Sequence, residues 1–378
     1  MIDNKPDMQL VGRDDDLERM WAALEAGSVL LVGPRRIGKT VLLKQMCAEP
    51  IPQWRAVRLN VEGCTTVEQA VLELEDTLRQ ASLLSTVKEA VDGVRRVEAG
   101  PVAVERSADR DTGTPWQRAE KSIRVAVNTL GPQESLALLM DDVPWWLDSI
   151  VNSETAKAAR QALGRLRNLR QKDWDGHKVA MVFTGSVGLA GIAESIGASA
   201  EINDLQPMEL CPLDPLDGAL LFELQLVDQS TTWSGDLGEQ ACRQAGGSPH
   251  WIKMLANRMP PGREVGKQDL QDAVESLLSP RMRYLFADEA RQHFVRRYGG
   301  ERAQVCRAIL STAAPSELGA PLEALIAVAL TGGLHDRGDA REAVWALVDS
   351  FHLEQAGDLF RFTNPLFRLW WLRYGGEA

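Results

Sequence analysis

The sequence predicts an α/β fold built on a parallel sheet, followed by a mainly helical region. Ser28–Val32 is a short apolar run of the kind that forms a buried strand. The glycine-rich octapeptide Gly33–Thr40 follows it, and the good helix formers of Val41–Met46 come next. A second apolar run, Leu136–Met140, ends in two aspartates. Strands separated by loops and helices in this order are typical of parallel sheets.

The octapeptide fits the phosphate-binding pattern Gly-x-x-x-x-Gly-Lys-Ser/Thr. Its two glycines let the backbone turn tightly and bring N–H groups close to phosphate oxygens. The helix N-terminus that follows favours anions. We therefore predict that Lys39 contacts the β- and γ-phosphates of ATP and that the Thr40 hydroxyl ligates Mg²⁺. The predicted nucleotide-binding residues of this segment are Gly33, Pro34, Arg35, Arg36, Ile37, Gly38, Lys39, Thr40 and Val41.

Two further strand ends carry polar groups suited to a nucleotide site. Asp141 is predicted to hold Mg²⁺, directly or through water, and Asp142 to orient or deprotonate the attacking water. The apolar run Val179–Phe183 ends in Thr184, Gly185 and Ser186. Open α/β sheets bind ligands at the carboxyl ends of their strands, so the hydroxyls of Thr184 and Ser186 are predicted to sense the γ-phosphate.

Composition places the chain among ordinary globular proteins. It has 378 residues, 44% hydrophobic and 25% charged, with a net charge of −11. That charge argues against general coating of nucleic acid, although a local basic site stays possible. The five cysteines are scattered without a C-x-x-C pair, and the sequence has neither a signal-peptide pattern nor an apolar run long enough to span a bilayer. We expect a cytoplasmic protein with no zinc site and no membrane contact.

The remaining elements are predicted from apolar periodicity and from turn residues. Residues 10–13 are expected to end a strand, before a helix that begins with three aspartates, and residues 91–115 to form an irregular insertion. The arginines of a helix over 154–172 are expected to point largely outward, either as a solvated or partner-facing surface or with one of Arg160–Arg170 as an arginine finger toward a neighbouring subunit. The other predictions are a strand at 56–61, helices at 66–82, 215–226, 237–245, 250–259, 301–313, 320–329 and 339–350, strands at 352–355 and 359–363, and a final aromatic helix.

Several of these segments together resemble the STAND branch of AAA+-like phosphate-loop ATPases, especially prokaryotic and archaeal ATPases with a C-terminal winged helix. The resemblance implies an ATPase core over residues 1–205, a helical lid over 206–262, and linker helices with a winged-helix domain over 263–378. The matching segments are Val11–Arg13, Gly33–Thr40, Leu138–Val143, Thr184–Ser186 and Gly247–Pro249.

The resemblance also implies roles for residues outside the glycine-rich loop. Gly12 and Arg13 would lie near the adenine, and Pro249 would touch the nucleotide as part of a Gly-x-Pro motif. The acid pair is Asp-Asp, whereas Asp-Glu is common in fast AAA+ motors, and this difference favours a slow switch. No arginine finger or lid sensor arginine stands out, with Lys253 and Arg258 as candidates for the sensor.

Three functions remain open from the sequence: a slowly hydrolysing switch, a DNA-acting AAA+ ATPase that forms oligomers, and a nucleotide-binding adaptor without useful hydrolysis. Residues 301–378 carry a net charge of −3, and the predicted recognition helix 339–350 carries −2, which disfavours contact with DNA phosphates. Only Arg281–Arg307 is basic, with a net charge of +4. A protein partner or a second copy of the chain is therefore favoured over DNA.

Overall fold

The computed structural model describes residues 10–83, 113–185 and 188–375. The chain divides into two compact units. One, here called the sheet unit, consists of residues 16–32 and 40–209. The other, here called the helical unit, consists of the residues up to Asp15, Gly33–Lys39, and the chain from Leu210 onward.

A five-stranded, fully parallel sheet forms the centre of the sheet unit, in the order β2-β3-β4-β1-β5. The buried apolar residues of β3 and β4 explain why these strands lie inside the sheet, since both of their faces are covered. The predicted strands at 28–32, 56–61, 136–140 and 179–183 are confirmed. The strands are β1 Val29–Val32, β2 Trp54–Asn60, β3 Ser135–Asp141, β4 Val179–Thr184 and β5 Gln206–Glu209.

Amphipathic helices accompany the sheet, and their apolar residues form its core. Thr66 caps one helix through its side chain, and Thr114 and Gln117 form a capping box at another. The helices at 115–127 and 143–153 were not predicted from the sequence. The helices are α1 Asp14–Ala26, α2 Lys39–Ala48, α3 Val67–Gln80, α4 Pro115–Val127, α5 Val143–Ser153, α6 Ala156–Gln171 and α7 Leu189–Ser195.

The helical unit contains eight further helices and two small sheets within the described residues. The predicted hairpin is confirmed, and a third short strand, β8, pairs with its second strand. The helix predicted from 301 begins much earlier, at Tyr284. The elements are α8 Pro215–Asp228, β6 Thr232–Trp233, α9 Leu237–Ala245, α10 Pro249–Ala256, β7 Glu264–Val265, α11 Lys267–Leu277, α12 Tyr284–Ala313, β8 Ala320–Pro321, α13 Leu322–Thr331, α14 Arg337–Asp349, β9 Leu353–Ala356, β10 Leu359–Phe362 and α15 Pro365–Tyr374.

One sequence prediction is wrong. Residues 10–13 form a turn instead of a strand end, with Gly12 at φ +66°. The arginines of α6 point largely outward, as predicted, and Arg170 is the exception, because its side chain is 1% exposed and pairs with Asp204 at 2.6 Å. A buried, paired arginine cannot reach a neighbouring subunit. The structure excludes Arg170 as an arginine finger for that reason.

Other predictions fall outside the described residues. They concern most of the irregular insertion (84–112), Ser186, and the side chains of 287–301 in the basic segment Arg281–Arg307. Within the part of the chain that the structure does describe, no helix is both long enough and apolar enough to cross a bilayer.

Candidate phosphate-binding site

The glycine-rich loop lies between β1 and α2 and is closed by its own lysine. The Lys39 ammonium donates to the carbonyl oxygens of Gly33 at 2.7 Å and Pro34 at 2.8 Å, and only 8% of the residue is exposed. Gly33 has φ +152°, and a Cβ there would lie 2.8 Å from the Leu210 carbonyl oxygen. A side chain at position 33 is therefore excluded both by space and by backbone conformation.

Arg13 connects the turn before α1 to this loop. Its guanidinium donates to the carbonyl oxygens of Cys211 at 2.8 Å and Ile37 at 3.1 Å, and the residue is 5% exposed. At the neighbouring Gly12, an added Cβ would meet the Asp217 carboxyl group at 2.4 Å. The structure thus gives Arg13 a clear role in holding the loop, and contact with adenine remains a prediction.

Arg36, in the middle of the loop, contacts the segment that contains Pro249. Its backbone is left-handed at φ +65°, and its carbonyl oxygen accepts a hydrogen bond from the Ser248 hydroxyl at 3.2 Å. Its guanidinium carbon lies 4.7 Å from the Trp251 ring centroid, within the range of a cation–π contact. Pro249 starts α10, between these two partners. The loop around Arg36 and the segment around Pro249 are more than 200 residues apart in the sequence, and the fold brings them into contact.

His250 lies in the same cluster, and burial, followed by the positive charge of Arg36, lowers its pKa from 6.5 to about 4. Its Nε2 is buried, and no described residue hydrogen-bonds to it. The folded protein therefore holds the imidazole neutral.

The lowered pKa of His250 makes stability fall in acid. As the pH falls, His250 takes up its proton at a higher pH in the unfolded chain than in the folded protein. The contribution of neutral His250 to the free energy of unfolding is therefore complete above pH 6.5 and is lost as the pH falls toward 4. After allowance for solvent screening, we expect the free energy of unfolding to fall by about 1–2 kcal/mol. Urea unfolding of the wild type and of His250→Gln, at pH 7 and pH 4.5, measures it. An equal loss of stability in both proteins would assign the effect to other groups.

The sheet unit holds the acidic part of the candidate site. Asp141 ends β3 with 3% of its surface exposed, and its two carboxylate oxygens have different partners. The Thr184 hydroxyl at the end of β4 donates to Oδ1 at 2.5 Å, and the Arg58 guanidinium of β2 donates to Oδ2 at 3.2 Å. The fold thus brings together two of the predicted site residues, Asp141 and Thr184, whereas Arg58 was missed. The available sequence signal was an arginine between the apolar residues Val57 and Leu59 of the predicted strand.

Asp142 follows directly and has a left-handed backbone, with φ +62° and ψ +38°. Its N–H donates to the Thr184 hydroxyl oxygen at 3.4 Å, and the residue precedes α5 as its N-cap. This conformation costs a non-glycine residue about 1–2 kcal/mol, less for Asp and Asn, which bond locally. Asp141 is buried and Asp142 is only partly buried, so the two aspartates differ in their exposure to solvent.

The available oxygen donors fit Mg²⁺. The sheet unit offers the Thr40 hydroxyl at the start of α2 and the buried Asp141 carboxylate. No group of three or more His, Cys, Asp or Glu side chains suited to a metal occurs among the described residues. Mg²⁺ at nucleotide sites needs only one or two protein oxygens, because phosphates and waters supply the others.

Three of the other candidate cations, Arg160, Arg167 and Arg258, have local partners. Arg160 is exposed and lies 3.5 Å from Glu201, whereas Arg167 lies 3.9 Å from Asp204. Arg258 donates to the Met254 carbonyl oxygen at 3.0 Å, and burial lowers its pKa. The geometry singles out none of them as an arginine finger or a sensor.

No protein-family model matches the sequence, and no curated protein matches it either. Solved structures do match. A Walker-type ATPase of Pyrococcus abyssi is 13% identical, with a TM-score of 0.64 over 96% of this chain and 95% of that one. The chain has the fold of the P-loop ATPases. The ORC2 protein of Aeropyrum pernix, in its ADPNP–ADP complexes, is 14% identical, with a TM-score of 0.52 over 99% of this chain and 95% of that one.

Proposed function

We propose that this chain is an ATPase that binds ATP with Mg²⁺ and hydrolyses it slowly, as a STAND-type switch. One observation carries the ATPase assignment. At a single edge of the parallel sheet, β1 leads into the glycine-rich loop, whereas β3 and β4 end in Asp141 and Thr184. Ligands of open α/β sheets bind at this edge.

The residues of the candidate site have distinct roles in the proposed hydrolysis. Lys39 exchanges its Gly33 and Pro34 carbonyl partners for phosphate oxygens, which its flexible ammonium can do without moving the backbone. Thr40 and Asp141 would hold Mg²⁺, which neutralises developing negative charge on the phosphates when bound. Asp142 orients the attacking water and accepts its proton. Its side chain is one methylene shorter than Glu, and this supports slow turnover.

Contacts inside the helical unit support the switch. Arg36 contacts Trp251, whose ring stacks on the ring of Phe286. The two ring centroids are 4.5 Å apart, and the angle between the ring planes is 12°. The ring centroid of Phe286 in turn lies 6.3 Å from that of Phe367 and 5.9 Å from that of Trp370, and both of these residues are on the last helix, α15. A change at the loop upon ATP binding would therefore reach α15 through packed rings.

We also propose the division into an ATPase core over 1–205, a lid over 206–262, and linker helices with a winged helix over 263–378. The three-stranded sheet β8-β10-β9, with α13 and α14 beside it in sequence, supports a winged helix. The net charge of −2 over residues 339–350, which contain most of α14, supports a protein partner or a second copy over DNA.

The test is steady-state ATPase activity of the purified protein, with and without duplex DNA, beside Lys39→Ala. A slow turnover that is indifferent to DNA and absent from Lys39→Ala is the expected result. A turnover above about 10 s⁻¹ would contradict a slow switch, since that is an ordinary enzyme rate. No activity above that of Lys39→Ala would contradict the ATPase itself.

A DNA-acting ATPase that assembles into oligomers is the second candidate. The fold likeness to the Aeropyrum ORC2 protein over nearly the whole chain favours it. Its DNA contact would come from Arg281–Arg307, which carries a net charge of +4 and lies mostly on α12. Activity stimulated by DNA, and lost on replacing Arg296 and Arg297, would support this candidate over the switch.

A further inference from the structure

We propose that Arg58 is a positioning residue that opposes magnesium loading by holding the metal-ligand carboxylate of Asp141. The inference rests on the proposed function, because it concerns the same site. Arg58 is paired with Asp141 Oδ2 at 3.2 Å, and Thr184 donates to Oδ1. Both oxygens are therefore engaged, and a cation that binds at Oδ2 meets the positive charge of Arg58.

The two partners differ in how easily they can yield. Thr184 is 1% exposed and has a neutral hydroxyl, which can go on donating to Oδ1 while Oδ2 binds a metal. The Arg58 side chain is 24% exposed, so it has a path toward solvent, and its full charge repels a cation at Oδ2. Metal loading is therefore expected to displace Arg58 and to leave Thr184 in place.

Arg58 acts close to the helix that follows the phosphate loop. Burial raises the pKa of the Cys47 thiol on α2 to about 11, and the positive charge of Arg58 partly opposes this rise. The positive charge of the guanidinium therefore acts on α2 as well as on Asp141, with which it pairs. Since an arginine does not lose its proton in proteins, the competition with the metal persists at every working pH.

The competition has a measurable consequence in nucleotide binding. Without metal, the charge of Arg58 offsets the charge of Asp141 and so lowers the repulsion between that carboxylate and phosphate. With metal, Arg58 is displaced from Asp141 Oδ2, and this displacement opposes the binding of the metal. Its removal should weaken ADP binding in EDTA and strengthen it in excess Mg²⁺. We expect the ratio of the ADP dissociation constants, EDTA over Mg²⁺, to be about tenfold larger in Arg58→Gln than in the wild type.

Calorimetric titration with ADP measures this ratio without any turnover. Arg55→Gln is the matched control, because Arg55 is on the same strand but is 56% exposed and pairs with Glu134. In that variant the ratio should stay at the wild-type value. Arg58→Lys keeps the charge and should stay within about twofold of the wild type. It tests the charge argument even if Arg58→Gln does not fold.

Asp141→Asn separates positioning from a general structural effect. In that background the ratio should be close to one, and adding Arg58→Gln should not change it. An unchanged or smaller ratio in Arg58→Gln, or a tenfold rise in Arg58→Lys, would overturn the inference. ADP that fails to bind the wild type in either condition would instead overturn the proposed function, and the inference with it.

Discussion

Replacing Asp142 with Asn is expected to lower ATP turnover by about 10²- to 10⁴-fold while ADP affinity and stability stay near wild-type values. The amide cannot accept the proton of the attacking water. Asn also tolerates the left-handed backbone at φ +62°, so the turn into α5 should survive. Single-turnover hydrolysis, ADP calorimetry and urea unfolding of the variant measure the three quantities.

Asp148→Asn is the matched control for this prediction. Asp148 lies on α5, the helix that Asp142 begins, and accepts a hydrogen bond from Asn152 at 3.2 Å. The same change of charge there should leave the turnover within about twofold of the wild type, as for an ordinary surface substitution. If Asp142→Asn hydrolyses ATP at the wild-type rate, Asp142 is not the base.

The sheet unit was largely predictable because its signals are local. The strands at 28–32 and 136–140 are continuous apolar runs, and both faces of a parallel sheet are buried. Polar strand ends then place Asp141 beside Thr184, which the structure confirms with a direct hydrogen bond. The helix over 143–153 was missed because Pro144 and two tryptophans give no clear helical periodicity.

The contacts that give the candidate site its particular character could not be predicted in this way. Arg58 reaches Asp141 across 83 positions, and Ser248 reaches Arg36 across 212. Such pairs depend on strand order and on helix packing, which periodicity does not encode. The burial of Arg170 was missed for a related reason: its partner Asp204 lies 34 residues away, so the arginine had no visible counter-charge.

Replacing Trp251 with Ala is expected to lower the free energy of unfolding by about 3–5 kcal/mol, because it removes a large ring from a packed core. Trp251 is 2% exposed and contacts both Arg36 and Phe286. Trp345→Ala is the control, because Trp345 is 38% exposed. Its replacement should lower the free energy of unfolding by only about 1 kcal/mol. Urea unfolding compares the two, and equal losses would show that Trp251 is not central to this core.

The milder Trp251→Leu separates stability from signal transmission. Leu fills part of the space, but it has neither the ring face that Arg36 contacts nor the surface that stacks on Phe286. In the wild type, ADP with Mg²⁺ should change hydrogen exchange in residues 365–374 of α15. In Trp251→Leu, ADP should still bind within about threefold of the wild-type affinity, since Lys39 and the loop are intact, while the exchange change at α15 disappears. If that change persists, the nucleotide signal does not travel through the stacked rings, because the substitution interrupts the contact between Arg36 and Phe286.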